Sequence, residues 1–462
     1  MSGTRIKQRT ALAGILALAL CPRLNGESLT LEEIRESVLA NSRSLAQYHL
    51  AVQSAALDER AQTYTYLPAL TLGASASISL WDERPLSNGT AQPEGTPAGE
   101  RFGTALSFGV SQKVWDGGKH LVLRAINALN SEITRKEALA AYYAALEAAD
   151  SACFAALRAE AALESADSAL EKAVLALSLA ELRLDAGMIR QGEYLEALAE
   201  KENRETGQKA AERELRLCRA KLSVLTGVRD AKPLPVDFAE REALIQRLAD
   251  LDAEEAEGLY RALLKTAAAR NPDLARSGLY SRQAGASLSL AKRDYVPTLN
   301  AGFSTGLQYS PSGGFSLSGG RFSLSGSIPL DFPLTGVNVA KKRLVLEEAK
   351  LQYLNAESSL ELDLQTAFLD ALTQAGQTRS SRRALDYADR HFAYVQELFT
   401  LSQNSLSALL DAAALVSANR NQLINAQYGF LSALSRLRSL AACNDDGELS
   451  GLLLGPSISQ AP

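Results

Sequence analysis

Side chains that make and break bonds are sparse in this chain of 462 residues. Its three histidines, His49, His120 and His391, stand far apart, without cysteine or carboxylate partners at the spacing a metal ligand set needs. Cys153, Cys218 and Cys443 form no Cys-Xaa-Xaa-Cys pair, and three thiols cannot all pair internally, so each reads as a small buried helix residue. No Gly-Xaa-Ser-Xaa-Gly, Walker-type or His-Glu-Xaa-Xaa-His pattern occurs. These absences point away from an enzyme and from a metal or other cofactor. What remains is electrostatic. Glu193 and Glu196 lie three residues apart and share one helix face, and Asp411 stands in a matching segment farther on. Carboxylates gathered around an opening favour cations and raise one another's pKa; on an isolated helix they are simply a solvated surface.

The elements that carry these acids are unusually long. No proline occurs at 98–232 or 334–455, and no glycine between Lys119 and Leu184. Residues 138–180 include 18 alanines among 43, mixed with Leu, Glu and Arg, all strong helix formers. A helix over 119–184 would be about 100 Å long at ~1.5 Å per residue, which fits a coiled-coil or helical-tube architecture rather than a globule. Its many alanines suit close packing of several helices side by side. The first long run breaks at "LRLDAGMIRQGEYLEALAE" (182–200), where Gly187 suits a left-handed helix end and Gly192 lies near the next start. The second run breaks at "FTLSQNSLSALLDAAAL" (399–415).

Those two breaks belong to a duplication. Setting Leu195-Glu196-Ala197 on Leu410-Asp411-Ala412 gives an offset of 215, which also sets Gly187 on Ser402 and Leu225 on Leu440. Upstream the offset is 229: "YLPALTLGASASISLW" answers to "YVPTLNAGFSTGLQYS", Pro68 to Pro297 and Leu45 to Leu274. The difference of 14 residues falls between "DERPLSNGTAQPEGTPAGER" and the shorter "SPSGGFSLSGG", both read as turn-rich loops. Each copy therefore reads helix, strand, strand, very long helix, helix. The first repeat spans 27–228, with strands at about 66–80 and 102–115 and long helices at about 118–226. A linker at 229–258 follows. The second repeat spans 259–445, with strands at about 295–309 and 320–332 and long helices at about 336–442, before a tail at 446–462.

Leu72, Ala74, Ala76, Ile78 and Leu80 alternate with glycine and serine, and Phe322, Leu324, Ile328, Leu330 and Phe332 share one parity in the second copy. Such strands fit either a soluble hairpin packed on helices or a sheet with one face in lipid. Aromatics near the strand ends, among them Tyr66, Trp81, Trp115, Tyr295, Tyr309 and Phe332, resemble the girdles of membrane barrels. Arg5, Lys7 and Arg9 before the apolar run Ala11–Leu20 read as a secretory signal over 1–26; Cys21 is an alternative lipidation site, although Leu20 before it is large for that processing. Four strands cannot close a barrel, so in lipid their edges need other subunits: three copies make twelve strands. The net charge of −5, with no basic run, argues against nucleic acid.

The duplicated plan, "ANSRSL" and "ARNPDL", "YLPAL" and "YVPTL", the strand ends "KVWDGGK" and "PLDFPLTG", and the tips "LEA" and "LDA" resemble, over about 28–445, the TolC-type outer-membrane efflux protein family. The resemblance implies a mixed α and transmembrane β fold: a homotrimer with a 12-stranded β-barrel in outer-membrane lipid, continued by a long α-helical barrel in the periplasm. It implies a channel-tunnel of a tripartite efflux pump or a type I secretion system. Its partners would be a periplasmic adaptor and an inner-membrane pump of the resistance-nodulation (RND) or ABC type, which would choose the cargo. Matched residue by residue, Asp411 and Glu193 take acidic gate positions, with Glu196 and Arg190 beside them. Asn404 replaces a gating arginine, Phe399 takes a tyrosine position, and Ala408 stands where a second acid is found. The tips around Gly187, Gly192 and Ser402 would meet the adaptor. The rival readings are a periplasmic coiled-coil scaffold or adaptor without membrane insertion, and an enzyme on a helical frame.

Overall fold

The computed structural model describes residues 28–78, 102–239, 241–310, 314–401 and 403–454. The signal segment with Cys21, Trp81, the first-copy loop, Ser402 and the end of the tail lie outside the described residues. The chain forms two compact units: residues 1–49, 136–276 and 354–462 make the first, and residues 50–135 and 277–353 the second.

In chain order the elements are α1 (Leu31–Asn41), α2 (Arg43–Tyr64), β1 (Ala69–Ile78), β2 (Phe102–Trp115), α3 (Lys119–Asp185), α4 (Gln191–Thr226), α5 (Glu242–Ala249), α6 (Ala253–Arg270), α7 (Pro272–Lys292), β3 (Thr298–Ser310), β4 (Gly314–Ser327), α8 (Phe332–Thr400), α9 (Leu406–Ala441) and α10 (Asp446–Leu454). The long helices form where proline is absent: α3 has 67 residues and α8 has 69. The offset of 215 carries Asp185 onto Thr400, Gln191 onto Leu406 and Thr226 onto Ala441; the offset of 229 carries Asn41 onto Arg270 and Ala69 onto Thr298. One contact repeats as well, its asparagine shifted by a single residue. Asn41 Nδ2 donates to the Leu225 carbonyl at 3.1 Å, and Asn271 Nδ2 donates to the matching Leu440 carbonyl at 3.0 Å.

The second unit is built on an antiparallel sheet in the order β1-β2-β3-β4, so β2 and β3 join the two copies. Pro68 and Pro297 each directly precede a strand, where a missing N–H costs no ladder bond. β2 lies at the expected residues, but β4 does not. It begins at Gly314 and ends at Ser327, because the apolar–serine alternation of "FSLSGG", read as loop, continues the strand. Phe332 opens a helix instead.

The first unit holds α4 and α9 entire, with residues 136–185 of α3 and 354–400 of α8. Its linker segment is partly structured: Lys232–Pro233 bridges in parallel to Ser28–Leu29, and α5 buries Leu244, Ile245 and Leu248. The segment read as tail begins with α10, which buries Leu449 and Leu453.

Candidate functional site

Four helix ends meet at the tips. Ala176 and Ala180 of α3, Ala197 of α4, Val395 and Phe399 of α8, and Leu406, Leu409 and Ala412 of α9 form one buried cluster. The alanines make this possible, since a methyl group lets backbones approach on every side where a leucine would hold them apart. Phe399 is 1% exposed and lies under the Arg183 guanidinium, 3.6 Å from the ring centre. Phe399, expected at a gate position, is thus core in the protomer. Arg183 was not singled out from the sequence; a lone arginine in a last helical turn gives little signal.

The turn after α3 follows from its glycine. Gly187 adopts φ 68°, its N–H donates to the Leu184 carbonyl at 2.9 Å, and the Met188 N–H reaches the Arg183 carbonyl at 2.8 Å. The same bond recurs at the offset of 215, where the Gln403 N–H donates to the Leu398 carbonyl at 2.9 Å. Gly192 lies in the first turn of α4. Asn404 serves the turn, its Oδ1 accepting from the Ser405 N–H at 3.0 Å, and Ser405 caps α9 through the Ala408 N–H at 3.2 Å.

Around this packed tip the acids face outward. Glu196 and Asp411 are exposed and Glu193 is half-buried, in the first turn of α4. That is where the helix dipole favours negative charge. Ala408 packs against the buried cluster. Arg190 is exposed and forms no ion pair among the described residues.

Away from the tips, the first unit contains a charge cluster that the sequence did not announce. Asp150, fully buried on α3, accepts from Arg35 Nε at 2.6 Å, Arg438 at 2.7 Å and Ser435 Oγ at 2.6 Å. Asp446 accepts from Arg438 at 2.7 Å and from Arg35 at 3.2 Å, which ties α10 to α1 and α9. Burial alone would raise the Asp446 carboxyl, but Arg35 and Arg438 outweigh it and hold it below the usual carboxylate range.

His120 also departs from expectation. It has a carboxylate partner, Asp116, at 2.9 Å, and stacks on Tyr66 with ring centres 4.1 Å apart. Asp116 additionally accepts from the Gly118 and His120 N–H groups at 3.0 Å, so the pair shapes the strand-to-helix turn. The three described cysteines are free and buried, and burial pushes Cys153 to about 12 and Cys443 to about 11.

The sheet of the second unit has two unlike faces. One row across it reads Leu70, Val110, Phe303, Phe322; another reads Ala74, Leu106, Leu307, Leu317. The reverse face carries Gly73, Ser107, Gly306, Ser318 and Ser75, Ala105, Gln308, Ser316. Leu72, Phe315, Leu317 and Phe322 are 74–76% exposed, so the apolar face is bare in the protomer. Tyr309 packs on Phe315 at one end of the strands, and Tyr295 on Phe332 at the other. The outer edges of β1 and β4 carry no further strand among the described residues. No described helix is long and apolar enough to cross a membrane.

The model of the outer membrane efflux protein family matches residues 263–442. Among solved structures, the Campylobacter jejuni CmeC outer membrane channel aligns with TM-score 0.73 and 15% identity, over 95% of each chain. The outer membrane protein VceC from Vibrio cholerae aligns with TM-score 0.72 and 17% identity, over 89% of this chain and 95% of that one. CusC, described in connection with transmembrane channel formation, aligns with TM-score 0.73 and 15% identity, over 92% and 95%. No curated protein matches the sequence. Residues 263–442 thus match the outer membrane efflux protein family, and the chain has the fold of these solved outer-membrane channels.

Proposed function

We propose that the protein is a passive channel-tunnel of a tripartite exporter, seated in the outer membrane with its long helices in the periplasm. The observation that carries this reading is the bare apolar face of the sheet, backed by glycine and serine. Water disfavours such a face, lipid accepts it, and the small polar reverse face suits a wet lumen. Open edges at β1 and β4 need partners in lipid, where unpaired N–H and C=O groups are costly. Three protomers supply twelve strands, and their long helices continue the tube. The tips around Gly187, Gly192 and Ser402 meet a periplasmic adaptor, which couples the tube to an inner-membrane pump. Glu193, Glu196 and Asp411 give the entrance its negative charge. The signal over 1–26, or lipidation at Cys21, serves delivery to that membrane. The protein makes and breaks no bonds; it supplies a path and a gate.

Extraction of the full chain from membranes tests the reading. Detergent-dependent, heat-dissociable trimers that conduct ions in planar bilayers are expected. A protein that stays monomeric and dispersed in plain buffer is a scaffold, and the channel reading fails.

A further inference from the structure

Charge is rare on the sheet of the second unit, and it is of one sign. The four strands carry two charged residues, Lys113 on β2 and Arg321 on β4, and no carboxylate. Both stand on the glycine and serine face. Arg321 completes the row Thr71, Gly109, Ser304, and Lys113 begins the row that continues through Asn300 to Ser325. Both are exposed, and neither forms an ion pair among the described residues. Asp116, three residues after Lys113, is already held by His120.

Arg321 owes its side of the sheet to a bulge. Leu317 and Phe322 both lie on the apolar face, five residues apart, so the alternation reverses between them. Gly319 and Gly320 stand together opposite Thr305, between the pairs Gly306–Ser318 and Ser304–Arg321. Strict alternation from Leu317 would send residue 321 to the apolar face. The extra residue turns it to the reverse face instead. Glycine suits the site, since a Cβ at residue 320 would come within 3.0 Å of the Phe303 ring. The bulge therefore keeps a guanidinium at the middle of β4 out of lipid, where a charge is disfavoured, and sets it among small polar neighbours.

We propose that Arg321 and Lys113 make the sheet section of the conduit selective for anionic cargo, molecules that carry a carboxylate or phosphate group. The proposal rests on the channel reading, in which the reverse face lines the lumen. Three protomers then set their guanidinium groups in one ring and their ammonium groups in another, about 13 Å away along β4 at ~3.3 Å per residue. Rings of Arg and Lys favour anions in a pore, and low-dielectric walls strengthen their field. The planar guanidinium grips a carboxylate or phosphate through two bonds, while the ammonium acts as a point charge. With no acid on the sheet to neutralise them, both remain available to cargo.

Single channels of the full-length protein in planar bilayers test this, with tripolyphosphate on both sides as the probe anion. It is expected to reduce the sodium chloride current of the parent, most strongly at low salt. Arg321→Gln combined with Lys113→Gln is expected to need about tenfold more tripolyphosphate for the same reduction, and to move the reversal potential in a salt gradient toward cations. Each single variant is expected to give part of that effect, which keeps the test open if the double variant fails to assemble. Arg321→Lys, which keeps the charge, is expected to behave like the parent. Parent channels indifferent to tripolyphosphate, or conducting variants blocked as the parent is, overturn the anion selectivity and leave the channel standing. A chain that stays monomeric and conducts nothing overturns both.

Discussion

Phe399 shows what a single residue contributes at the tip. Its ring fills the space between four helix ends and supports Arg183 from below. Phe399→Ala leaves a cavity there, and the expected loss is about 3–5 kcal/mol, read as a lower melting temperature of the helical signal in detergent. Asp446 acts differently. Its carboxyl is held below the usual range, so the stability it contributes is present above the unfolded carboxylate value and is lost as the pH falls through the lowered folded one. Asp446→Asn is therefore expected to melt earlier than the parent at neutral pH, with the gap closing in acid; a constant gap at all pH values refutes the linkage. None of this cluster was legible in the sequence. Arg35, Asp150 and Arg438 lie 115 and 288 residues apart, and helical periodicity says nothing about which arginine finds which acid.

At the scale of elements the sequence was more open. Proline-free, alanine-rich runs lengthen helices wherever they occur, so α3 and α8 emerged from composition, and β2 lies at the residues its alternation indicated. β4 was displaced by about a turn's worth of residues because glycine and serine mark both loops and the small face of this sheet; only the partner strand decides between them. The burial of Phe399 was not legible, since an aromatic at a helix end looks the same buried or exposed in one dimension. Gly187 follows a simpler rule. At φ 68° with open space around it, a side chain there meets strain but no clash. Gly187→Ala is expected to cost about 1 kcal/mol, with the tip fraying faster by hydrogen exchange while the α3 core stays protected. Equal protection at the tip in both proteins would show that the turn is held by something else.

In the whole molecule the repeat matters most, because it lets half of the chain serve as a template for the other half. The correspondence bears on the entrance. Glu196 and Asp411 occupy equivalent positions and both face solvent, whereas the duplicate of Glu193 is Ala408, half-buried against the tip core. Neutralising Glu196 and Asp411 together is expected to reduce cation preference in planar bilayers more than neutralising Glu193 alone, by reversal potentials in a salt gradient. Equal effects would separate these acids from the conduction path. A threefold assembly would then wear two geometries at its mouth: a hexagon of carboxylates with alternating glutamate and aspartate corners, and a triangle that the first copy alone draws.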